Sequence, residues 1–255
     1  MKNARKQRQI NEQTCSAHEI SARQQLRRLF KEAPLPEDEV MDNLGLFIRR
    51  QTLSRILFMD ELYQQILPVH GVVMEFGVRW GQNLALFSSL RGIYEPFNHN
   101  RKIVGFDTFA GFPRFDPKDG KSGVLTKGAF GVTPQYEQYL QEVLRCHEQE
   151  SPISHIKKHQ LVKGDASQGI KTYLKEHPET IVAMAYFDFD IYKPTLDCLK
   201  AIEPHLTKGS VIGFDELNEH DYPGETLALK EVFGLGKYRI RRSKYASLQT
   251  YVVIE

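Results

Sequence analysis

The sequence predicts an α/β fold in which a mostly parallel sheet carries helices on both faces. Apolar runs of strand length alternate with segments of helix length and helical apolar spacing along most of the chain. Such alternation favours parallel strands joined by crossover helices. A chain of 255 residues allows one large domain, or one domain with a small appendage.

The N-terminal part is predicted to be a helical extension. Residues 1–34 are polar and rich in lysine and arginine, which is typical of a solvated helix or a frayed tail, with an anionic partner as the alternative. After Pro34-Leu35-Pro36, helical apolar spacing runs from about Asp38 to Ile66. That stripe predicts core or dimer contacts, or a cap over a ligand pocket. We therefore expect an extension over 1–68, a homo-oligomer through its helices, and a second domain over 69–255.

The second domain contains the alternating elements. Strands are expected near 71–76, 102–107, 160–164, 181–188 and 209–214, helices near 82–93, 135–148, 167–176, 195–204 and 225–233, and two short closing strands near 237–242 and 248–254.

The turn after the first strand predicts the kind of ligand. Its pattern is Glu75-x-Gly77-x-x-x-Gly81, in which glycines permit a tight turn and the following helix offers free N–H groups. A dinucleotide fold would prefer G-x-G-x-x-G with pyrophosphate at this helix, and Glu75 would repel a pyrophosphate. Asp107, at the end of the second strand, suits ribose hydroxyls. S-adenosylmethionine (SAM), which has a ribose and cationic groups but no phosphate, fits this pattern.

Acids recur at the same end of the predicted sheet. Glu75, Asp107, Asp165, Asp188 and Asp215 end or follow five consecutive strands, and ligands of open parallel sheets bind outside the carboxyl ends of the strands. Like charges at close range repel by about 4 kcal/mol at intermediate dielectric. A cationic ligand or a metal ion would relieve that repulsion.

Five motifs together resemble class I SAM-dependent methyltransferases, and most closely the macrocin O-methyltransferase family, which includes deoxysugar O-methyltransferases. They are Glu75 to Gly81, the stretch 105–113, Gly164-Asp165, the stretch 188–192 and Asp215-Glu216. The resemblance covers about Val72 to the C-terminus and implies a Rossmann-like, seven-stranded sheet with an antiparallel last strand. It also implies SAM as cofactor, with Glu75, Gly77 and Gly81 at the methionine part, Asp107 at the ribose and Asp165 at the adenine edge. The full set of expected cofactor contacts is Glu75, Gly77, Gly81, Asp107, Thr108, Asp165, Ala166 and Asp188.

The resemblance further implies a metal site. In metal-dependent O-methyltransferases, an acid after strand four and an acid pair, or an acid and an amide, after strand five hold a divalent ion. By that match Asp188, Asp215 and Glu216 are the ligands, and three carboxylates suit a hard ion such as Mg²⁺. Phe189 and Glu216 depart from the family pattern, which usually has glycine and aspartate there. Asp190 and Glu216 are alternatively helix caps or salt-bridge partners.

Two loops could complete the site. His220 follows the acid pair, where a histidine suits an acceptor contact or a general base. Alternatively, it is an ordinary surface histidine, as loop histidines commonly are. Asp188 is the other candidate catalytic residue. The segment 108–134 contains five glycines and four phenylalanines. A loop this long is typically functional or disordered, and we expect a lid over the cofactor, with a disordered insertion as the alternative.

The leading hypothesis is a SAM-dependent O-methyltransferase, assisted by a divalent ion, that acts on a sugar or another small hydroxylated metabolite. An NAD-type oxidoreductase and a non-catalytic SAM-binding module are the alternatives. A net charge of +2 gives no indication of a nucleic-acid partner, and no run of about 18 apolar residues predicts a membrane span. Cys15, Cys146 and Cys198 have no metal-ligand spacing, which favours a reduced, cytoplasmic protein.

Overall fold

The computed structural model describes residues 15–120, 123 and 125–255. The first 14 residues of the polar N-terminal segment lie outside the described residues. The chain divides into two units, one ending at Arg55 and the other running from Ile56 to Glu255.

The N-terminal helices are shorter than the sequence pattern predicts. Helix α1 (Ala17–Lys31) begins at a capping box, in which Ser16 and Glu19 each bond the other's backbone N–H. Helix α2 (Glu37–Asp42) ends at Asn43, whose side-chain amide donates to the Glu39 carbonyl at 2.9 Å. A short 3₁₀ turn (Leu44–Leu46) then precedes helix α3 (Arg50–Gln65). The continuous helix expected from Asp38 to Ile66 is therefore wrong, because the Asn43 side chain takes the place of the next helical turn.

Seven strands form a single sheet in the order β3-β2-β1-β4-β5-β7-β6. Strands β1 to β5 are parallel, whereas β7 runs antiparallel to both β5 and β6. The predicted Rossmann-like, mostly parallel sheet with an antiparallel last strand is thus confirmed. The strands are β1 (Val72–Phe76), β2 (Ile103–Asp107), β3 (His159–Lys163), β4 (Val182–Phe187), β5 (Leu206–Phe214), β6 (Ile240–Arg242) and β7 (Thr250–Val253).

Helices cover both faces of this sheet. Strand β1 shows why, because Met74 and Phe76 belong to one buried cluster while Val73 belongs to another, as the alternation of side chains along a strand requires. The first cluster includes side chains of α6, α7 and α8, and the second includes side chains of α3, α4 and α5. These helices are α4 (Gln82–Tyr94), α5 (Tyr136–Gln149), α6 (Ala166–Glu176), α7 (Tyr192–Ile202) and α8 (Gly224–Val232).

A buried arginine fixes the entry to β1. The Arg101 guanidinium donates to the carbonyls of Ile66, Val69 and Gly71 at 2.6 to 3.0 Å and pairs with Glu95 at 2.9 Å. Removal of one partner from a buried, hydrogen-bonded ion pair costs about 3–5 kcal/mol. Arg101 therefore holds the strand whose far end carries the candidate site.

Within the described part of the chain, no helix is both long and apolar enough to cross a membrane.

Candidate active site

The turn between β1 and α4 is built around two glycines with left-handed backbone. Gly77 has φ +99°, and a Cβ there would lie 2.1 Å from the Asp188 carbonyl oxygen. Gly81 has φ +77° and precedes α4, and its Cβ would lie 2.3 Å from a Leu140 methyl group. Neighbouring protein atoms therefore require glycine at both positions. The contact at Gly77 also joins the turn to the loop that follows β4.

Glu75 lies in β1 just before this turn and is almost completely buried. Its Oε1 accepts a 2.7 Å hydrogen bond from the Asn83 side chain, which is in the first turn of α4. A buried carboxylate is stable only when hydrogen bonds or opposite charge compensate its lost hydration. Glu75 is thus held rigidly at the carboxyl end of β1, where a ligand of this sheet binds.

Asp107 organises the loops beside the same turn. Its Oδ2 accepts from the Arg79 backbone N–H at 2.7 Å and its Oδ1 from the Phe109 backbone N–H at 2.6 Å. Both donors belong to non-glycine residues with positive φ, 50° and 56°. Burial raises the pKa of Asp107, and these backbone hydrogen bonds oppose that rise. Thr108 closes the adjoining turn, since its hydroxyl donates to the Gly111 carbonyl at 3.0 Å.

Asp165 lies at the end of β3 and caps α6. Its Oδ1 accepts a 2.9 Å hydrogen bond from the Ser167 backbone N–H, and its Oδ2 lies 4.0 Å from the Arg114 guanidinium. The side chain is 45% exposed, so the cap leaves it accessible to a ligand. Ala166, the first residue of α6, is buried. The roles of Asp165 and Ala166 at the adenine edge stay predictions.

Beyond β4 and β5 the structure brings five carboxyl groups into one electrostatic group, which we call the acid cluster. Three of them were expected as metal ligands from the sequence. Asp215 follows β5, and its backbone N–H donates to the Phe187 carbonyl at 3.0 Å, so that the ends of β4 and β5 are in register. The members of the acid cluster are Asp188, Asp190, Asp215, Glu216 and Glu225.

Burial and mutual repulsion make three members of the acid cluster, Asp190, Glu216 and Glu225, bind protons tightly. Burial first, and then the charges of Asp190 and Asp215, raise the pKa of Glu216 to about 10. Burial and the neighbouring aspartates also raise the pKa of Asp190 and of Glu225 well above their ordinary values. The Arg79 guanidinium partly opposes the rise at Asp190. Because two like charges at close range cannot both ionise cheaply, this cluster requires either protons or a cation.

The oxygen atoms of the acid cluster are suitable donors for a metal ion. Carboxylate oxygens are the ligands that hard divalent ions prefer. Glu216 Oε2 is buried and accepts no hydrogen bond from any residue that the structure describes. This oxygen can therefore bind a proton or a cation. However, no three His, Cys, Asp or Glu side chains among the described residues are already arranged to hold a metal ion. The ligand set therefore stays a prediction.

Two acids in this region were not identified as functional from the sequence. Glu225 is completely buried and accepts from the backbone N–H groups of Phe189 and Glu216. Asp119 is 2% exposed, and its Oδ1 accepts from the Tyr192 backbone N–H at 2.6 Å, which caps α7. Their partners are distant in sequence, so no local pattern indicates either contact.

The loop that carries His220 and the segment 108–134 differ in their contacts with the rest of the chain. His220 is exposed on the loop between β5 and α8, so a role as general base stays a prediction. In the segment 108–134, the backbones of Phe112 and Ala129 are hydrogen-bonded, and the Phe130 ring lies 5.0 Å from the Arg79 guanidinium. These contacts place parts of the segment beside the turn between β1 and α4, and its action as a lid stays a prediction.

Comparison with solved structures identifies close relatives. The structure of CalS11, a calicheamicin methyltransferase, is 44% identical with a TM-score of 0.91 and covers 93% of each chain. An apo structure of CalS11, described as a TDP-rhamnose 3′-O-methyltransferase, is 41% identical with a TM-score of 0.83 over 93% of this chain and 95% of that chain. The O-methyltransferase NovP, at 16% identity, 79% coverage of each chain and a TM-score of 0.59, shares the fold. No protein-family model and no curated protein matches the chain.

Proposed function

We propose that the acceptor of this protein is a deoxysugar linked to a nucleoside diphosphate. The chain belongs to the family of SAM-dependent deoxysugar O-methyltransferases, and the proposal rests on that membership. The family assignment confirms the predicted enzyme class, methyl transfer to oxygen. It also removes the NAD-type oxidoreductase as an alternative and favours an enzyme over a non-catalytic binding module.

The likeness to CalS11 carries this proposal. That relative methylates TDP-rhamnose at the 3′ oxygen, and the identity of 41% to 44% extends over 93% of this chain. The match spans nearly the whole length of both chains, and the loops after β2, β4 and β5 border the candidate site. Those loops decide which acceptor an α/β enzyme takes. A nucleotide-linked 6-deoxyhexose is therefore the acceptor class that we expect.

The residues that we propose to contact SAM lie at the carboxyl edge of the sheet. SAM supplies an electrophilic methyl group when bound. Glu75 is held by Asn83 at the end of β1, where its carboxylate would face the cationic methionine part. Asp107 has each oxygen fixed by one backbone N–H, and a carboxylate oxygen has a further lone pair for a ribose hydroxyl. Asp165 would meet the adenine edge from the start of α6.

We also propose that a divalent ion such as Mg²⁺ is held by Asp188, Asp215 and Glu216. A bound ion would lower the pKa of the acceptor hydroxyl. The raised pKa of Glu216 means that this carboxyl group must release its proton as the ion binds, so ion affinity should fall at lower pH. Asp188, or His220 from the neighbouring loop, would then take the hydroxyl proton.

The acceptor is tested by mixing purified protein with SAM and a panel of sugars, and by measuring release of S-adenosylhomocysteine. We expect release with TDP-rhamnose and much less with free rhamnose, because a free sugar lacks the binding energy of the nucleotide part. Equal rates with both, or release only with an acceptor that is not a sugar, would contradict the proposed acceptor class.

The ion is tested separately with a chelator. Chelation should abolish turnover and Mg²⁺ should restore it, whereas SAM affinity measured by calorimetry should stay unchanged. Asp215→Asn should behave like the chelated enzyme. Asp60→Asn is the matched control, because Asp60 is a partly exposed aspartate on α3 that accepts a hydrogen bond from Tyr94. A chelated preparation that turns over at full rate would show that the proton is taken without an ion.

A further inference from the structure

We propose that Glu225 is a positioning residue that holds the two acid-bearing loops of the site, 188–191 and 215–218, at a fixed separation. The positioning rests on contacts within the chain, and its effect on turnover rests on the proposed function. No sequence motif of the family indicated this residue.

The contacts of Glu225 are with backbone, one in each loop. Its Oε1 accepts from the Phe189 N–H at 3.1 Å, and its Oε2 accepts from the Glu216 N–H at 3.3 Å. The side chain has 0% exposure, so water does not replace either bond. Since each N–H belongs to the loop after a different strand, one carboxylate ties the exit of β4 to the exit of β5.

The residues on either side of Glu225 reinforce the same bridge. The Thr226 hydroxyl accepts from the Asn218 N–H at 2.8 Å, which adds a second bond to the loop after β5. Gly224 lies so close to the loop after β4 that a Cβ would meet the Tyr192 nitrogen at 2.5 Å and the Asp190 oxygen at 2.9 Å. The first turn of α8 therefore contacts both loops through three consecutive residues.

A carboxylate is the group that this position requires. Two backbone N–H groups that are buried need two acceptors, and only an acid presents two equivalent acceptor oxygens on one side chain. Glutamine would accept from one N–H and turn its own N–H₂ group toward the other. Burial and the neighbouring aspartates raise the pKa of Glu225, and the hydrogen bond from the Phe189 N–H opposes that rise because it favours the ionised group.

The consequence for the site is geometric. Asp188 and Asp190 lie on one of the bridged loops, and Asp215 and Glu216 lie on the other. If Glu225 no longer spans the two loops, the distance between these pairs of carboxylates is free to change. The turn between β1 and α4 is also held by the hydrogen bonds of Glu75 with Asn83 and of Asp107 with Arg79. Glu225 takes no part in these two bonds, so SAM affinity should be unaffected.

The test compares Glu225→Gln with Leu229→Ala in the full-length protein. Leu229 is also on α8 and is 2% exposed, so its truncation loosens the helix in the core and removes neither hydrogen bond of the Glu225 side chain. For Glu225→Gln we expect amide exchange at Phe189 or Glu216 to accelerate about tenfold or more through local opening. We also expect kcat to fall at least about tenfold at unchanged SAM affinity, because misplacement by an ångström can cost on the order of a hundredfold. Leu229→Ala should lower thermal stability while exchange at these two amides and kcat stay near wild type.

The results distinguish the role of the Glu225 hydrogen bonds from the methyl-transfer reaction itself. Unchanged exchange at both amides, or a loss of kcat in Leu229→Ala as large as in Glu225→Gln, would overturn the positioning role. If Glu225→Gln does not fold, Thr226→Val releases only the Asn218 contact, and unchanged exchange in 215–218 would overturn the bridge. If the wild-type protein methylates no sugar, the proposed function fails, while the exchange measurements still decide whether Glu225 holds the two loops.

Discussion

The hydroxyl of Tyr186 donates a 2.8 Å hydrogen bond to Oδ1 of Asp215, from the strand beside the one that Asp215 follows. The Gln249 side-chain amide donates to the same oxygen at 3.0 Å. Two donors on one oxygen fix the rotation of the carboxylate. The orientation of a proposed metal ligand is thus set by side chains from β4 and from the chain just before β7.

Removal of the Tyr186 hydroxyl should impair turnover and spare cofactor binding. Tyr186→Phe leaves Gln249 as the remaining donor of this pair, and a hydrogen bond to a charged group is worth about 1.5–3 kcal/mol. We expect kcat to fall about tenfold, measured as S-adenosylhomocysteine release, with SAM affinity unchanged by calorimetry. Tyr251→Phe is the control, because Tyr251 is a buried tyrosine on the strand that pairs with β5 and its hydroxyl donates to Glu61 at 3.5 Å. Equal kcat for the two variants would contradict this role of Tyr186.

Loss of the Asp107 carboxylate should weaken SAM binding. Asp107→Ala removes the proposed ribose acceptor and leaves the N–H groups of Arg79 and Phe109 without their partner. An unsatisfied buried donor costs about 1–3 kcal/mol, and about 1.4 kcal/mol corresponds to tenfold in affinity. We expect SAM to bind at least about tenfold more weakly by calorimetry, and Asp60→Ala to bind normally. Unchanged affinity in Asp107→Ala would show that the ribose lies elsewhere.

A methyl group at Gly77 should disturb both the turn between β1 and α4 and the loop after β4. Gly77→Ala places a Cβ 2.1 Å from the Asp188 carbonyl oxygen at φ +99°, and such backbone strain alone costs about 1–3 kcal/mol. We expect a lower midpoint of denaturant unfolding together with weaker SAM binding. Gly236→Ala is the matched control, since a Cβ there meets no atom within 4 Å. A Gly77→Ala protein as stable as Gly236→Ala would be inconsistent with this close contact.

The acid cluster predicts how stability depends on pH when no divalent ion is present. The pKa of Glu216 is raised from 4.5 to about 10, so its contribution to stability is fully present below about pH 4.5 and is lost as the pH rises toward 10. Glu216→Gln cannot ionise, and its unfolding free energy relative to wild type should therefore increase between about pH 6 and about pH 9. Denaturant unfolding in chelator measures this difference, with exposed Glu150→Gln as the control. A difference that does not change with pH would place the Glu216 pKa near its ordinary value.

The sequence predicts the centre of the sheet well because β1, β2 and β4 are buried on both faces. Val182–Phe187, for example, is a continuous apolar run, and every residue in it is buried. The start of β5 was missed because Thr207 and Lys208 are polar and exposed, and exposed strand residues have no apolar signal. The break in the helix after Asp42 was missed because apolar spacing continues across it, although Asn43 ends the hydrogen-bonded turn.

The candidate site was predictable only where its residues follow strands. Asp107, Asp188 and Asp215 are at the carboxyl ends of strands, and topology alone brings such positions together. Glu225 and Tyr186 could not be assigned in this way. Glu225 is 36 residues from Phe189, and Tyr186 appears in the sequence as an ordinary member of an apolar strand. Their contacts depend on the packing of α8 and on the register of β4 against β5.

The stretch from Asp107 to Asp119 is anchored at both ends. At its start Asp107 binds the Arg79 backbone in the turn before α4, and at its end Asp119 binds the Tyr192 backbone at the start of α7. If both hydrogen bonds are to form, a change of length between these anchors has to be taken up by the intervening backbone. Engineering of this enzyme toward new acceptors should therefore replace side chains in this stretch and keep its length.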